Sequence, residues 1–463
     1  MGKSFEELRQ LYPVFCYEKY SIEDYEDRFE VEFWFRINDL ARFAPRWVLK
    51  KNADFPRDGQ DQVLNQLVFN LGLVELISYW KLTCSPQVVV EAGYLDQEQI
   101  SWWKKQYFHG LGEFFYTNHI AATEGDFMAI AATPRPVAAG TRPIDSAPCL
   151  AYAPAGCLIP IGGGKDSAVS LELLSKYQAS NACYIINPRA ATIESAQAAG
   201  YGDEQIVKAF RTLDPNMLRL NKEGYLNGHT PFSALVAFSA VLAAYLHNKR
   251  YVVLSNESSA NETTIVGTSV NHQYSKTFQF ESDFHNYEKN YIGSGVYYFS
   301  LLRPFSELQI ARYFAKLPQY HPVFKSCNVG SKTDTWCGKC PKCLFVYIIL
   351  SPFMAQTELE KIFGTNLLED PELSPNLEKL IGLQAEKPFE CVGTIDEINT
   401  ALCLTIAKLE GAGEALPQLL QYYRTLDLYS ACQNRPDRYL QFFDDHNLVP
   451  EEFRADLKKE MLA

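Results

Sequence analysis

The rhythm of apolar and polar positions changes twice along the chain. From Phe15 to Leu49 aromatic and β-branched residues come thickly, and Glu30-Val-Glu-Phe-Trp-Phe-Arg-Ile alternates in part, which predicts two short strands ahead of a helical stretch. Residues 60–79 and 97–115 then carry apolar residues at helical spacing, with Val63, Leu67, Leu71 and Leu76 in the first. This part reads as α+β. Between 131 and 154 a density of Pro, Ala and Gly resists regular structure and sets a domain boundary. Past it, apolar runs at 157–161, 182–186 and 251–254 alternate with helical stretches at 167–177, 190–199 and 231–246, a pattern that predicts a doubly wound parallel sheet. Beyond about Ser351 the chain turns Glu- and Leu-rich with helical periodicity, as at 395–409 and 414–429. The expected division is an N-terminal α+β domain (1–145) that is a candidate for substrate binding, an α/β domain (150–355) and a helical C-terminal region (356–463).

Composition narrows the function classes. With 47% hydrophobic residues in 463, the chain can bury a large core. A net charge of −12 leaves no general attraction for phosphate backbones, so no nucleic-acid partner is expected. The longest apolar stretch, 232–246, contains Ser233 and Ser239 and falls short of the roughly 20 residues that span a bilayer, so a buried helix is expected and no membrane. Met1-Gly-Lys-Ser-Phe-Glu-Glu meets charge at once and lacks the apolar core of a signal peptide, which makes the cytoplasm the expected compartment.

The sharpest chemical signal is Leu158-Ile-Pro-Ile-Gly162-Gly163-Gly164-Lys165-Asp166-Ser167, an apolar run, three glycines, a polar trio and an amphipathic helix. Glycines at a strand-to-helix turn let the backbone approach a ligand, and the first N–H groups of the helix face an anion. Lys165 adds a point charge and Ser167 a hydroxyl, while Asp166, unsuited to a bare phosphate, makes sense as a ligand to a bridging Mg²⁺. Asp after Lys165 breaks the Walker pattern, and Ser at 167 breaks Gly-x-Gly-x-x-Gly. The run instead resembles the PP-loop of the ATP-pyrophosphatase superfamily, usually Ser-Gly-Gly-x-Asp-Ser, with Gly162 in place of the first Ser.

Ligands in such sheets sit outside the carboxyl ends of strands, so polar residues just past each apolar run are candidates. Asn187 follows 182–186; the PP-loop resemblance implies a backbone contact to adenine there, and an Asn-Pro turn explains it as well. Asn256 and Glu257 follow 251–254 and suit either the nucleotide with Mg²⁺ or a capped helix start. Asn271-His272-Gln-Tyr-Ser-Lys276 gathers donors, an imidazole and an amine; His272 is the leading acid/base candidate, against a structural histidine. His229 is a weaker one. Arg303, before a helix capped by Ser306, is placed to clamp a phosphate or carboxylate, or to pair with Glu307 at the surface.

Of twelve cysteines, eight are scattered and four fall within seventeen positions, as Cys327, Cys337, Cys340 and Cys343 in C-x9-C-x2-C-x2-C. Such clustering points to a metal in a reducing compartment: Zn²⁺ held by four thiolates is the expected occupant, with an iron–sulfur cluster as the competitor. Gly338 allows the knuckle its tight turn, and Lys339 and Lys342 would offset the site's negative charge.

Together, Ile161-Gly-Gly-Gly-Lys-Asp-Ser, Ser255-Asn-Glu-Ser, Val270-Asn-His-Gln-Tyr-Ser-Lys, Phe299-Ser-Leu-Leu-Arg-Pro and Phe324-Lys-Ser-Cys with Trp336-Cys-Gly-Lys-Cys-Pro-Lys-Cys resemble the MurL family, the UDP-N-acetylmuramoyl-L-alanyl-L-glutamate epimerases. The likeness covers about 150–355. It implies an α/β fold of the adenine-nucleotide alpha-hydrolase type and, in bacterial cell-wall precursor synthesis, ATP- and Mg²⁺-dependent conversion of the terminal L-glutamate of a UDP-linked muramoyl dipeptide to D-glutamate. AMP and pyrophosphate leave through an acyl-adenylate, after a glutamate-adding ligase has acted. In that reading the loop and Asp166 steady pyrophosphate, Arg303 or Lys276 the adenylate, and His272 moves a proton. A deazaguanine nitrile synthase-like or other carboxylate-adenylating PP-loop enzyme is the nearest alternative, and a non-catalytic ATP-binding regulatory module the alternative of another class.

Overall fold

The computed structural model describes residues 3–51, 62–133, 155–265, 267–433 and 438–462. Its strands are β1 (Val14–Asp24), β2 (Arg28–Ile37), β3 (Ala41–Phe43), β4 (Arg46–Lys50), β5 (Gln87–Tyr94), β6 (Ala129–Thr133), β7 (Cys157–Pro160), β8 (Ala182–Ile186), β9 (Ile206–Thr212), β10 (Tyr251–Leu254) and β11 (Tyr297–Ser300). All eleven join one mixed sheet in the order β11-β10-β7-β8-β9-β4-β2-β1-β5-β6, with β3 beside β2. β5, β6, β9 and β11 add to the strands that the apolar runs predict. The two short strands expected between Phe15 and Leu49 are instead two long ones followed by two short ones.

β7 to β11 run parallel to one another, and β7 lies in their middle. The chain runs outward from β7 through β8 to β9, then crosses back to the other side of β7 for β10 and β11. Neighbouring loops after β7 and β10 therefore diverge, which opens a crevice outside their carboxyl ends.

The N-terminal part is continuous with this sheet. β9 pairs antiparallel with β4, from Arg46↔Thr212 to Leu49↔Ala209. The expected boundary lies mostly outside the described residues: β6 takes up its first positions, and nothing between 134 and 154 is described.

Strand periodicity sends alternate side chains into two cores. Leu158, Tyr184, Val207, Val252 and Tyr298 pack on one side with the helices Gln62–Trp80 and Phe232–Leu246; Ile159, Cys183, Ile185, Ile206 and Val253 pack on the other with Lys165–Leu173 and Pro341–Leu350. In β2 the pattern is fully expressed, with Phe29, Val31, Phe33, Phe35 and Ile37 all buried. The Gln62–Trp80 helix, enclosed between the sheet and Phe232–Leu246, is buried almost all round. It carries Glu75 inside, where a bare charge would be costly; Arg211 donates to it at 2.8 and 2.6 Å and Trp47 Nε1 at 3.1 Å. No helix among the described residues is long and apolar enough to cross a membrane.

The C-terminal helices cover the second core. The stretch 395–409 forms the Ile395–Gly411 helix, with Thr394 and Glu397 in a capping box. The stretch 414–429 breaks into Gln418–Arg424 and Asp427–Gln433.

Candidate active site

The glycine loop lies at the crevice, between β7 and the Lys165–Leu173 helix. Gly163 has φ +81°, which favours glycine, and a side chain there would press on the backbone of Ala191. Space around Gly162 is open: a Cβ there would meet nothing within 4 Å. Gly164 caps the helix with no side-chain hydrogen bond, so its first N–H groups are free for an anion. Register with β10 carries Ser255 level with Ile161, and the Ser255 hydroxyl is buried without a partner. Open room, uncapped amides and an orphaned hydroxyl fit an anionic ligand.

The polar trio behaves differently from its sequence reading. Lys165 is buried and turned inward, paired with both Asp166 and Glu307 rather than held out over the loop. Burial alone would depress its pKa; Asp166, Glu307 and Glu257 outweigh it and push the ammonium above its ordinary range. Glu307, which the sequence assigns to the surface, sits in this interior. Burial raises its carboxyl to about 8, opposed by Lys165. Burial would also raise Asp166, but Lys165 and Lys342 hold it below the usual carboxylate range, and its side chain remains 30% exposed. Asp166 is thus an ionised oxygen donor open on one side, the fit a Mg²⁺ ligand requires. Ser167 donates to the Gly164 carbonyl at 2.9 Å and so braces the turn.

Arg303 is a correction. It is fully buried, and its guanidinium is spent on Glu281, on the Glu257 carbonyl at 2.6 Å and on the Lys276 carbonyl. It clamps no ligand and forms no surface pair; it ties the backbone after β10 to the segment carrying Lys276. Asn256 donates to Ser300 Oγ at 3.1 Å, and Glu257 accepts from Ser259, both buried beside the crevice. Asn187 has φ +48° and spends its side chain on the Arg211 backbone, so any role toward a ligand falls to its backbone. Ser306 caps its helix as expected, accepting from Gln309 N at 3.2 Å.

A second polar cluster joins the crevice. One carboxylate oxygen of Glu113 holds Nδ1 of both imidazoles, His272 closely and His229 at 3.2 Å. The environments of the two rings differ. Burial, reinforced by the His272 charge, takes His229 down to about 4. Burial would lower His272 too, but hydrogen bonds to Cys391 and Glu113 lift it to about 9. Lys276 Nζ donates to Cys391 Sγ at 3.2 Å, and its charge is further favoured by Glu257 and Asp166. His272 and Lys276, paired by sequence, therefore converge on one thiol.

The four cysteines gather at the start of the Pro341–Leu350 helix, with Cys340 at its N-cap and Cys343 in its first turn. Neighbouring sulfurs stand 3.5, 3.7 and 3.8 Å apart, and all four lie within 4.8 Å of one another. A tetrahedral ion about 2.3 Å from each sulfur would space them by roughly 3.8 Å, so the donor set fits one four-coordinate ion and leaves no room for bridging sulfides. Gly338 has φ +68° in the knuckle. The lysines go elsewhere: Lys339 reaches Asp370 and Glu372, and Lys342 the Cys391 carbonyl. Backbone N–H groups of Gly330, Lys339 and Cys340 point at the sulfurs instead, at 3.2, 3.5 and 3.4 Å.

The family model described as the MurL N-terminal domain matches residues 6–301, and that described as the MurL C-terminal domain matches 323–423. The chain belongs to the MurL family. Among its relatives, a protein of Xanthomonas oryzae pv. oryzae named UDP-N-acetyl-alpha-D-muramoyl-L-alanyl-L-glutamate epimerase is 37% identical over 354 residues, 75% of this chain and 76% of its own. One of Salinispora tropica with the same name is 34% identical over 375 residues, 78% of each. No solved structure matches.

Sequence reasoning misses Glu113, Cys391 and the interior place of Glu307. Glu113 is one carboxylate in a six-residue helix, and Cys391 a single cysteine in a loop, so neither carries a local pattern. The MurL C-terminal match spans Cys391 together with the four-cysteine cluster.

Proposed function

We propose that the chain is an ATP-dependent epimerase that converts the terminal L-glutamate of UDP-N-acetylmuramoyl-L-alanyl-L-glutamate to D-glutamate, in the cytoplasm. The observation that carries this reading is the meeting, at one crevice, of an anion-ready glycine loop with a His272, Lys276 and Cys391 cluster able to move a proton. The names of the MurL relatives supply the substrate class. The sheet is read as the PP-loop ATP-pyrophosphatase type, from the position of the loop after its central strand.

The two halves of the crevice answer two needs of the chemistry. A proton α to an ionised carboxylate resists removal, because negative charge would build beside a group already anionic. Transfer of the carboxylate to the α-phosphate of ATP, with pyrophosphate leaving, cancels that charge and lets the carbonyl accept electrons. Uncapped amides at Gly164 and Lys165 and the Ser255 hydroxyl face the phosphates. Mg²⁺, when bound at Asp166, would neutralise charge on the phosphates. In this reading Lys276, which donates to Cys391, serves the activated carboxyl, and His272, held by Glu113, serves proton transfer. Hydrolysis of the acyl-adenylate returns the carboxylate. Zn²⁺ is assigned to Cys327, Cys337, Cys340 and Cys343, a structural site that fixes the loop before the Pro341–Leu350 helix.

Product analysis tests the proposal. The purified chain with ATP, Mg²⁺ and the UDP-linked dipeptide is expected to yield AMP, pyrophosphate and, after acid hydrolysis, D-glutamate. AMP without D-glutamate would point to another carboxylate-adenylating enzyme, and ATP binding without AMP to a regulatory module.

A further inference from the structure

The thiol of Cys391 has no task in the sequence reading, yet it is the point on which the cluster converges. Its segment, 383–394, is neither helix nor strand. It is laid across the crevice by fixed contacts: Lys387 N donates to the Thr264 carbonyl at 3.0 Å, Ile265 bridges Glu386, and Gln273 Nε2 donates to the Val392 carbonyl at 3.3 Å. Lys342, from the helix after the cysteine knuckle, holds the Cys391 carbonyl itself. These contacts bring a C-terminal residue against the segment carrying His272 and Lys276.

Cations surround the sulfur. Lys276 Nζ donates to Sγ at 3.2 Å, and the charges of His272 and Lys342 act on it as well. Burial alone would raise the thiol, but Lys276, His272 and Lys342 together bring it down to about 6, against an ordinary value of 9. Other single cysteines behave oppositely: burial pushes Cys16 and Cys157 up to about 12, the signature of inert packing. Burial raises the carboxyl of Glu390, next in the chain, above its ordinary value. Beside the strap, the Gln273 side-chain carbonyl is buried with no donor, an acceptor left for a polar group of a ligand. Lys276 also feels Asp166, and Lys342 acts on both Asp166 and Cys391, so the same two cations bear on the thiol and on the carboxylate of the glycine loop.

We propose that Cys391, as a thiolate held between His272 and Lys276, is the base that removes the glutamyl α-proton. This role rests on the epimerase reading above. The Cα–H bond breaks, its proton passes to Sγ, and its electron pair moves into the activated carboxyl to give an enolate beside Lys276. A solvent-derived proton adds to the opposite face of Cα as the electron pair returns. The new S–H loses its proton directly to solvent water, and the thiolate is restored beside the positive charges of Lys276 and of His272, which Glu113 orients. One proton is taken and one given, and no redox partner is needed. His229, held neutral on the same carboxylate, is a positioning residue.

The test compares the wild-type chain with C391A and C391S, in D₂O with ATP, Mg²⁺ and the UDP-linked dipeptide. Expected is a loss of α-deuterium incorporation by roughly 10²-fold or more in both variants, while C403A, altered outside the crevice, exchanges like wild type. Because a variant can lose activity by misfolding, the wild-type chain is also alkylated with iodoacetamide across pH: Cys391 is expected to react with a midpoint near 6 and to be shielded by the dipeptide. Wild-type exchange that survives in C391A to within threefold, an alkylation midpoint above 8, or a covalent Cys391–substrate adduct by intact mass would overturn the role. No exchange in wild type would instead sink the epimerase reading itself.

Discussion

At the scale of single residues, burial decides what each side chain can do. Arg303 shows this most plainly: its place before a capped helix suggests a ligand clamp, but full burial and bonds to Glu281 and two backbone carbonyls make it a brace. R303A should leave Glu281 buried and unpaired and cost about 3–5 kcal/mol, read as a lower denaturant midpoint in chemical unfolding. A ligand clamp would leave the midpoint nearly unmoved. His272 was legible as a donor-rich motif, but its partners were not, because Glu113 and Cys391 lie 159 and 119 positions away in sequence. Its folded pKa of about 9 exceeds the ordinary 6.5. Its charged form thus contributes stability that is full below about pH 6.5 and lost as pH rises through 9. The difference in Tm between wild type and H272Q should shrink over that window; a constant difference would contradict the assignment.

At the scale of elements, pattern was readable where one element states its own case. The glycine loop, the Phe232–Leu246 helix and the Ile395–Gly411 helix appear where periodicity and capping place them. β9 and β11 were hidden because Ile-Val-Lys-Ala-Phe-Arg-Thr and Tyr-Tyr-Phe-Ser become strands by pairing with β4, β8 and β10, not by alternation. The cysteine knuckle was legible from spacing alone, since four donors of one kind need no distant partner. Its sulfurs anchor the start of the Pro341–Leu350 helix, whose buried face runs through the second core. C340S should bring bound zinc from about one per chain to near zero and lower Tm by roughly 10 °C or more, measured by metal analysis and calorimetry. Iron and colour in the purified chain would contradict the zinc assignment.

At the scale of the molecule, the sequence divides where the sheet does not. The composition change near 131–154 suggests separate domains, yet β4 and β9 join the two parts edge to edge, and the helices Gln62–Trp80 and Phe232–Leu246 pack in one core. A boundary in composition carries no information on strand pairing, which depends on register between residues some 160 positions apart. A fragment beginning at 155 would expose the β9 edge and one face of Phe232–Leu246. It should therefore aggregate or bind ANS without a cooperative melt, and a soluble fragment with a sharp transition would show that the parts fold independently. The same continuity places Glu113, from the N-terminal part, on His272. The measurement that bears most directly on function is exchange of the glutamyl α-hydrogen with D₂O by the wild-type chain, with and without ATP. Adenylation-assisted epimerisation predicts deuterium incorporation and D-glutamate only when ATP and Mg²⁺ are present, with AMP formed alongside; exchange independent of ATP, or AMP formation without exchange, would contradict it.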